Sequence, residues 1–325
     1  MTGSIPESFK NLVALRELSL KANLFDGGIP KSLWNICTLY SLNLRSNNLG
    51  GDVFGFLQST SLCTTYSLEE LELSDNQFTG SVPNEITKLS SLRVLRYNRL
   101  NGTISQDIGQ LSNLSTLELP GNSFDEVVLS KAHFSNLTNL WKLDLSDSSL
   151  ALKFNSDWIP PFQLHVIYLR SCKLGPLFPQ WIRSQHMPRE IDFSVSGISD
   201  SIPSWFWNTS LLVYNLNLSF NQITGSMPHN CSFSYAENLC CICGSFIDLS
   251  SNNLTGPLPQ LPSLSVSLNL SKNKFFGSIT SICEMSNLIS LLDLSNNLFS
   301  GVIPNCFARW HTLVSTTTCV PRALI

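Results

Sequence analysis

A period of about 24 residues governs the whole chain. Asn, or a small substitute, recurs at Asn23, Asn47, Asn76, Asn98, Asn122, Ser148, Cys172, Ser196, Asn221, Asn252, Asn273 and Asn297. Ahead of nearly every marker stand two apolar residues two apart, such as Leu71/Leu73, Ile191/Phe193 and Ile247/Leu249. Residues at that spacing point to one side of an extended strand, and the polar residues between them point to the other. The Asn amide donates and accepts at once, so it suits the point where the chain turns out of the strand. A unit of this length cannot bury its own leucines and needs a copy on either side.

The period lies in the range of leucine-rich repeats. The expected fold is therefore an α/β leucine-rich-repeat solenoid: a right-handed curved superhelix with a parallel β-sheet on the concave face and a mostly irregular or 3-10 convex side. A dozen strands about 4.8 Å apart make an arc of about 55 Å. Residues 1–314 form the repeat domain, first and last units incomplete, and 315–325 form a non-repeat tail. Two irregularities matter. At Leu95-Arg96-Tyr97-Asn98 two residues are missing before the marker, which predicts a pinched turn or a broken strand. Long spacings fall at Gly51 to Ser67 and His229 to Gly244. Ser148, Cys172 and Ser196 are expected to supply part of the Asn bond pattern through a hydroxyl or thiol.

Charged residues are 13% of the chain and the net charge is -3, with no basic cluster, which excludes nucleic acid as a partner. No apolar run reaches 18 residues, so no membrane contact is expected of this stretch itself. Met1 to Pro6 reads as the second half of a repeat and not as a signal peptide, so the expectation is a piece of a longer protein.

Four segments of the form Gly-x-Ile-Pro, Gly27-Gly28-Ile29-Pro30, Gly80-Ser81-Val82-Pro83, Gly225-Ser226-Met227-Pro228 and Gly301-Val302-Ile303-Pro304, resemble the extracytoplasmic plant type of repeat. More narrowly, Asp157-Trp158-Ile159-Pro160-Pro161-Phe162-Gln163-Leu164, Phe178-Pro179-Gln180-Trp181 and Ile202-Pro203-Ser204-Trp205-Phe206-Trp207 resemble the plant leucine-rich-repeat receptor-like proteins of the ethylene-inducing-xylanase receptor and apple scab-resistance kind. That resemblance implies a ligand-binding ectodomain on the extracellular side of the plasma membrane. It also implies a protein or peptide ligand in defence or development, and signalling through partner receptor-like kinases. The alternative is a secreted inhibitor of a cell-wall-degrading enzyme, similar to the polygalacturonase inhibitors.

Outward strand positions give the candidate ligand face: Glu70, Glu72, Asp75, Arg96, Tyr97, Glu118, Lys142, Asp144, Tyr168, Arg170, Glu190 and Asp192. A rigid sheet with varied polar side chains is how solenoids grip proteins, with aromatic and Arg residues as anchors. Tyr168 and Arg170 are the preferred pair. Sequons occur at Asn101, Asn113, Asn136, Asn208, Asn217, Asn230, Asn253 and Asn269, and glycans on Asn217 and Asn269 would project into the hollow of the arc. Cys283 and Cys306 fall at equivalent places on successive turns, so a disulfide is expected there. Cys37, Cys63 and Cys319 have no evident partner. Cys231, Cys240, Cys241 and Cys243 share the long loop with undecidable pairing, and the single C-x-x-C does not complete a metal site. No nucleophile-and-base motif, phosphate loop or cofactor fingerprint is present, so no enzyme or cofactor is expected. His133, His165, His186, His229 and His311 read as structural, and Trp205 to Trp207 as packing.

Overall fold

The computed structural model describes residues 1–58, 63, 65–96, 99–125, 127–208, 213–228, 245–258, 266–284, 291–306 and 322–324. Two compact units divide the chain, one holding Met1–Leu164 with Ser171–Lys173, the other His165–Arg170 with Leu174–Ile325.

In the first unit the apolar pairs build parallel strands β1 (Glu17–Ser19), β2 (Ser41–Asn43), β3 (Glu70–Glu72), β4 (Val94–Arg96), β5 (Thr116–Glu118) and β6 (Lys142–Asp144). Register is strict: Leu18, Leu42, Leu71, Leu95, Leu117 and Leu143 are successive partners. From Leu42 onward these leucines are buried, as are Leu44, Leu73, Leu119 and Leu145. A one-residue slip would turn every one of them to solvent, so burial itself fixes the register. The second unit repeats the arrangement with β7 (Val166–Tyr168), β8 (Glu190–Asp192), β9 (Asn215–Asn217), β10 (Ser245–Asp248), β11 (Val266–Asn269), β12 (Leu291–Asp293) and β13 (Arg322–Leu324). Its inward row runs Ile167, Ile191, Leu216, Ile247, Leu268, Leu292. Within 315–325, expected to lie outside the repeats, Arg322–Leu324 pairs in parallel with β12.

The return paths include short 3-10 turns, among them Asn84–Leu89, Gln106–Gln110 and Gln180–Ser184, each with two buried residues. Glycine opens the Gly-x-Ile-Pro element because the backbone there is left-handed, with φ of +106° at Gly80 and +86° at Gly225. Beneath the sheet, Phe134 meets Phe154, Trp158 and Phe162 in the first unit. Phe178 meets Trp205 and Phe206 in the second, which makes that Trp-Phe-Trp block packing, as the sequence predicts.

Each described marker amide joins two turns. Asn76 donates Nδ2–H to the Leu73 carbonyl of its own turn and to Leu44 of the preceding one, while its Oδ1 accepts from the Leu49 N–H. Asn221, Asn252, Asn273 and Asn297 repeat the pattern. The substitutes do a share of this work. Ser148 Oγ donates to the preceding Leu119 carbonyl at 2.7 Å, Cys172 Sγ to Leu145 at 3.2 Å, and Ser196 Oγ to Phe193 of its own turn.

One sequence alternative is decided and one expectation corrected. The strand at the shortened unit is intact, because Leu95 stays in register between Leu71 and Leu117 and is fully buried. Of the two expected outcomes this leaves the pinched turn, beyond which Arg99 takes a φ of +77° and Leu100 N–H finds Asn122 Oδ1. The marker Asn98 itself lies outside the described residues. Second, Cys37 and Cys63 do have partners: they are joined to each other, Cα–Cα 5.4 Å. This bond ties the Gly51 to Ser67 insertion, which also buries Phe54, Phe56 and Leu57, to the preceding turn. The His229 to Gly244 loop with its four cysteines, and Cys319, lie outside the described residues.

Candidate functional site

The open face of the first unit is a charge ladder. Glu72, Arg96, Glu118 and Asp144 are successive cross-strand partners on β3 to β6, with Lys142 two residues before Asp144. Arg96 Nη1 lies 3.0 Å from Glu72, Arg96 Nε 3.2 Å from Glu118, and Lys142 Nζ 2.8 Å from the same Glu118 oxygen. The contacts to that oxygen are electrostatic and not aligned hydrogen bonds. Burial works against the Arg96 charge, but the Glu118 and Glu72 carboxylates outweigh it and raise the guanidinium pKa. Burial also raises the Asp144 carboxyl pKa, opposed by hydrogen bonds from Ser146. The Glu72 side chain is only 9% exposed and that of Glu118 15%, so these acids face each other's counter-charges more than solvent. Glu70 is exposed and accepts from Ser41 Oγ at 3.1 Å. Exposed Asp75 pairs with Arg45 at 3.0 Å.

A consequence is measurable. Arg96→Met leaves Glu72 and Glu118 half-desolvated against each other, and the expected loss is about 2 kcal/mol by urea denaturation. A Glu72→Gln change made on top should restore about 1 kcal/mol, since it removes the stranded charge. Strict additivity of the two changes is the result that would count against the ladder.

In the second unit Glu190 sits between two tyrosines. Tyr168 Oη donates to its Oε2, Tyr214 Oη to its Oε1 at 2.7 Å, and Asn215 Nδ2 stands 3.4 Å from Oε2. Burial first, then the hydrogen bond to Glu190 and its charge, pushes the Tyr214 phenol up to about 12. Arg170, two residues beyond Tyr168, is exposed. Tyr97 lies outside the described residues.

Asp192 belongs to a different ladder that the sequence reading missed. Asp192, Asn217, Asp248, Asn269 and Asp293 are partners across β8 to β12. Each turns its Oδ1 onto the backbone N–H two residues on, at Ser194, Ser219, Ser250, Ser271 and Ser295, at 2.9 to 3.1 Å. Asp144 does the same with Ser146 at 3.0 Å. These are Asx turns that close the strand, and Asn217 Nδ2 and Asn269 Nδ2 in addition face Asp192 and Asp248. The signal was available: Asp/Asn-apolar-Ser recurs at all six places.

The remaining positions sort as follows. Asn101, Asn113 and Asn136 are exposed, Asn253 is half-buried, and the Asn208 side chain and Asn230 lie outside the described residues. Asn217 and Asn269 are half-buried turn caps whose Oδ1 also accepts from Ser219 Oγ and Ser271 Oγ. The structure joins Cys283 to Cys306, Cα–Cα 5.5 Å. Cys172 is a buried thiol pushed up to about 12 by burial, helped by Asp144 and Asp147, which makes it inert. His133 Nδ1 accepts from the Ser130 N–H at 3.1 Å, and burial lowers its pKa. Among the described residues no group of three or more His, Cys, Asp or Glu is placed to hold a metal, and no helix is long and apolar enough to cross a membrane.

Known proteins match this picture. The Leucine Rich Repeat family profile matches residues 67–89 and 289–310. Receptor-like protein EIX2 of Solanum lycopersicum is 42% identical over 57% of the chain and 18% of its own length. Among solved structures, the plant peptide hormone receptor RGFR1 in complex with RGF2 is 28% identical at a TM-score of 0.79, over 96% of this chain and 48% of that one. The Arabidopsis receptor kinase HAESA, in complex with the peptide hormone IDA and the co-receptor SERK1, is 26% identical at 0.71, over 95% and 50%. The chain thus spans at most about half the length of these relatives. Strands in strict register and amides bridging turn to turn make it a leucine-rich-repeat chain, and its sequence is similar to the plant receptor-like proteins.

Proposed function

We propose that this chain is ligand-binding ectodomain of a plant cell-surface receptor-like protein, reading a protein or peptide on the open face of its parallel sheet. The observation that carries the reading is the face itself: in-register rows of half-buried polar and aromatic side chains on a backbone whose described turns are pinned by the marker side chains, which is a surface ordered before any ligand arrives. The RGFR1 and HAESA ectodomains, of the same fold, are complexed with peptide hormones, and HAESA with a co-receptor as well. Two disulfides favour an oxidising compartment, in keeping with the extracellular side of the plasma membrane. The protein acts by binding and not by catalysis. Its ligand engages partner receptor-like kinases, which carry the signal in defence or development.

Panning a displayed random peptide library against the secreted protein tests this. Peptides captured by the wild type should bind at least about tenfold more weakly to a variant carrying Asn215→Lys and Ser267→Lys, which raises two long cations from the middle of the face. Capture indifferent to those two changes, or no capture, would refute a ligand site there.

A further inference from the structure

Most of the face is already engaged. The first unit's acids and bases are consumed by one another, and the Asp192 to Asp293 row caps turns. In the second unit the row two residues earlier on each strand offers a different surface: Glu190, Asn215, Phe246, Ser267 and Leu291, partners in that order across β8 to β12. Its chemistry is uneven. At one end a carboxylate is held between two tyrosine rings whose hydroxyls fix it from both sides. Toward the other end Phe246, 38% exposed, and half-buried Leu291 stand either side of the small Ser267. That combination is a notch with apolar walls. The outward positions of β7 to β12 carry Glu190, Asp192, Asp248 and Asp293 and no Lys or Arg.

We infer that the second unit binds an extended peptide through one basic side chain at Glu190, between Tyr168 and Tyr214, and one apolar side chain in the notch over Ser267, the two lying about four residues apart in the peptide. The inference rests on the peptide-receptor reading above and specifies it. Spacing follows from the sheet. Glu190 and Ser267 are three strands apart, about 14 Å at ~4.8 Å per strand, and an extended peptide advances about 3.3 Å per residue. A guanidinium or ammonium group suits the first position because it carries the charge opposite to the carboxylate, and the ring faces add cation–π attraction. An aliphatic side chain suits the second because it covers Phe246 and Leu291 together. Along with exposed Arg170, two residues beyond Tyr168, Arg189, adjacent to Glu190 in sequence, opposes a basic ligand here. It acts on Tyr214 electrostatically and accepts backbone bonds from Tyr214 and Asn215.

Fluorescein-labelled Gly/Ser peptides carrying one Arg and one Leu, measured by fluorescence polarisation against the secreted protein, test the inference. The peptide with Leu four positions after Arg should bind about tenfold more tightly than versions with the two residues adjacent or eight apart. Replacing its Arg by citrulline, a change that leaves the protein untouched, should lose about tenfold, and Glu190→Gln should abolish the difference between the two peptides. Equal binding at all spacings, equal binding of the citrulline peptide, or no binding by any of them would overturn the inference. If library peptides of another pattern are captured in a face-dependent way, this spacing rule fails while the receptor reading stands. If none are captured, both fail.

Discussion

Asn252→Ala should cost about 3 to 5 kcal/mol, the largest effect expected of any single side chain in the second unit. The amide is 8% exposed and makes four bonds. Its Oδ1 accepts from Ile223 N–H at 2.9 Å, and Nδ2 donates to the Leu218, Leu249 and Ser250 carbonyls at 2.9, 3.1 and 3.2 Å. Alanine orphans one donor and removes a shared donor from three acceptors where water does not reach, at about 1 to 3 kcal/mol per stranded group. Asn252→Ser should cost about half as much, since the natural Ser148 keeps the bond to the preceding turn. Because Leu218 belongs to one coil and Leu249 to the next, the damage is to the joint between coils. Urea unfolding of the Ala variant should therefore broaden, and the Ile223 amide should exchange faster with deuterium. A loss under about 1 kcal/mol would show that the amide is replaceable by its surroundings.

Breaking the Cys37–Cys63 bond should cost about 3.5 kcal/mol, the chain-entropy value for a loop closed over 26 residues. The insertion it ties down has a small aromatic core of its own. Trp34 stacks on Phe56 with ring centroids 3.7 Å apart, and Tyr66 meets Phe56 edge-on at 5.9 Å. Packing of this size holds the segment only while the covalent tie limits its alternatives. The Cys37→Ser/Cys63→Ser variant should thus become protease-sensitive between Gly51 and Ser67 before the rest of the first unit melts. Reductant should reproduce this in the wild type. Unchanged melting and unchanged proteolysis would mean that the aromatic contacts suffice.

What could be read from the chain and what could not follows from how local each feature is. The strand pairs, the marker amides and the roles of Ser148 and Cys172 depend on a fixed phase, and a phase is visible in one dimension. Cys283 and Cys306 are 23 residues apart, close to one period, so stacking brings them to one place. Cys37 and Cys63 share no phase because an insertion of irregular length separates them, and only packing reveals the pair. At Leu95 the deletion was legible and left two outcomes open, and burial decided between them, because the strand is held by its buried side. Asp144 and Asp192 illustrate another limit. An outward polar residue reads as available for a ligand until the backbone N–H two residues on claims its oxygen. Glu72 and Glu118 were placed on the right face, yet the cross-strand partners that occupy them depend on register to the residue.

The marker amides carry a further implication for ancestry. Since each described marker amide asks the coil before only for backbone groups, a carbonyl, an N–H or both, any coil is an acceptable neighbour for any other. Whole periods could be duplicated or excised by unequal crossing-over without refitting the remainder. Such a molecule can move a recognition residue by one strand spacing in a single genetic event, a step that point substitution alone does not supply.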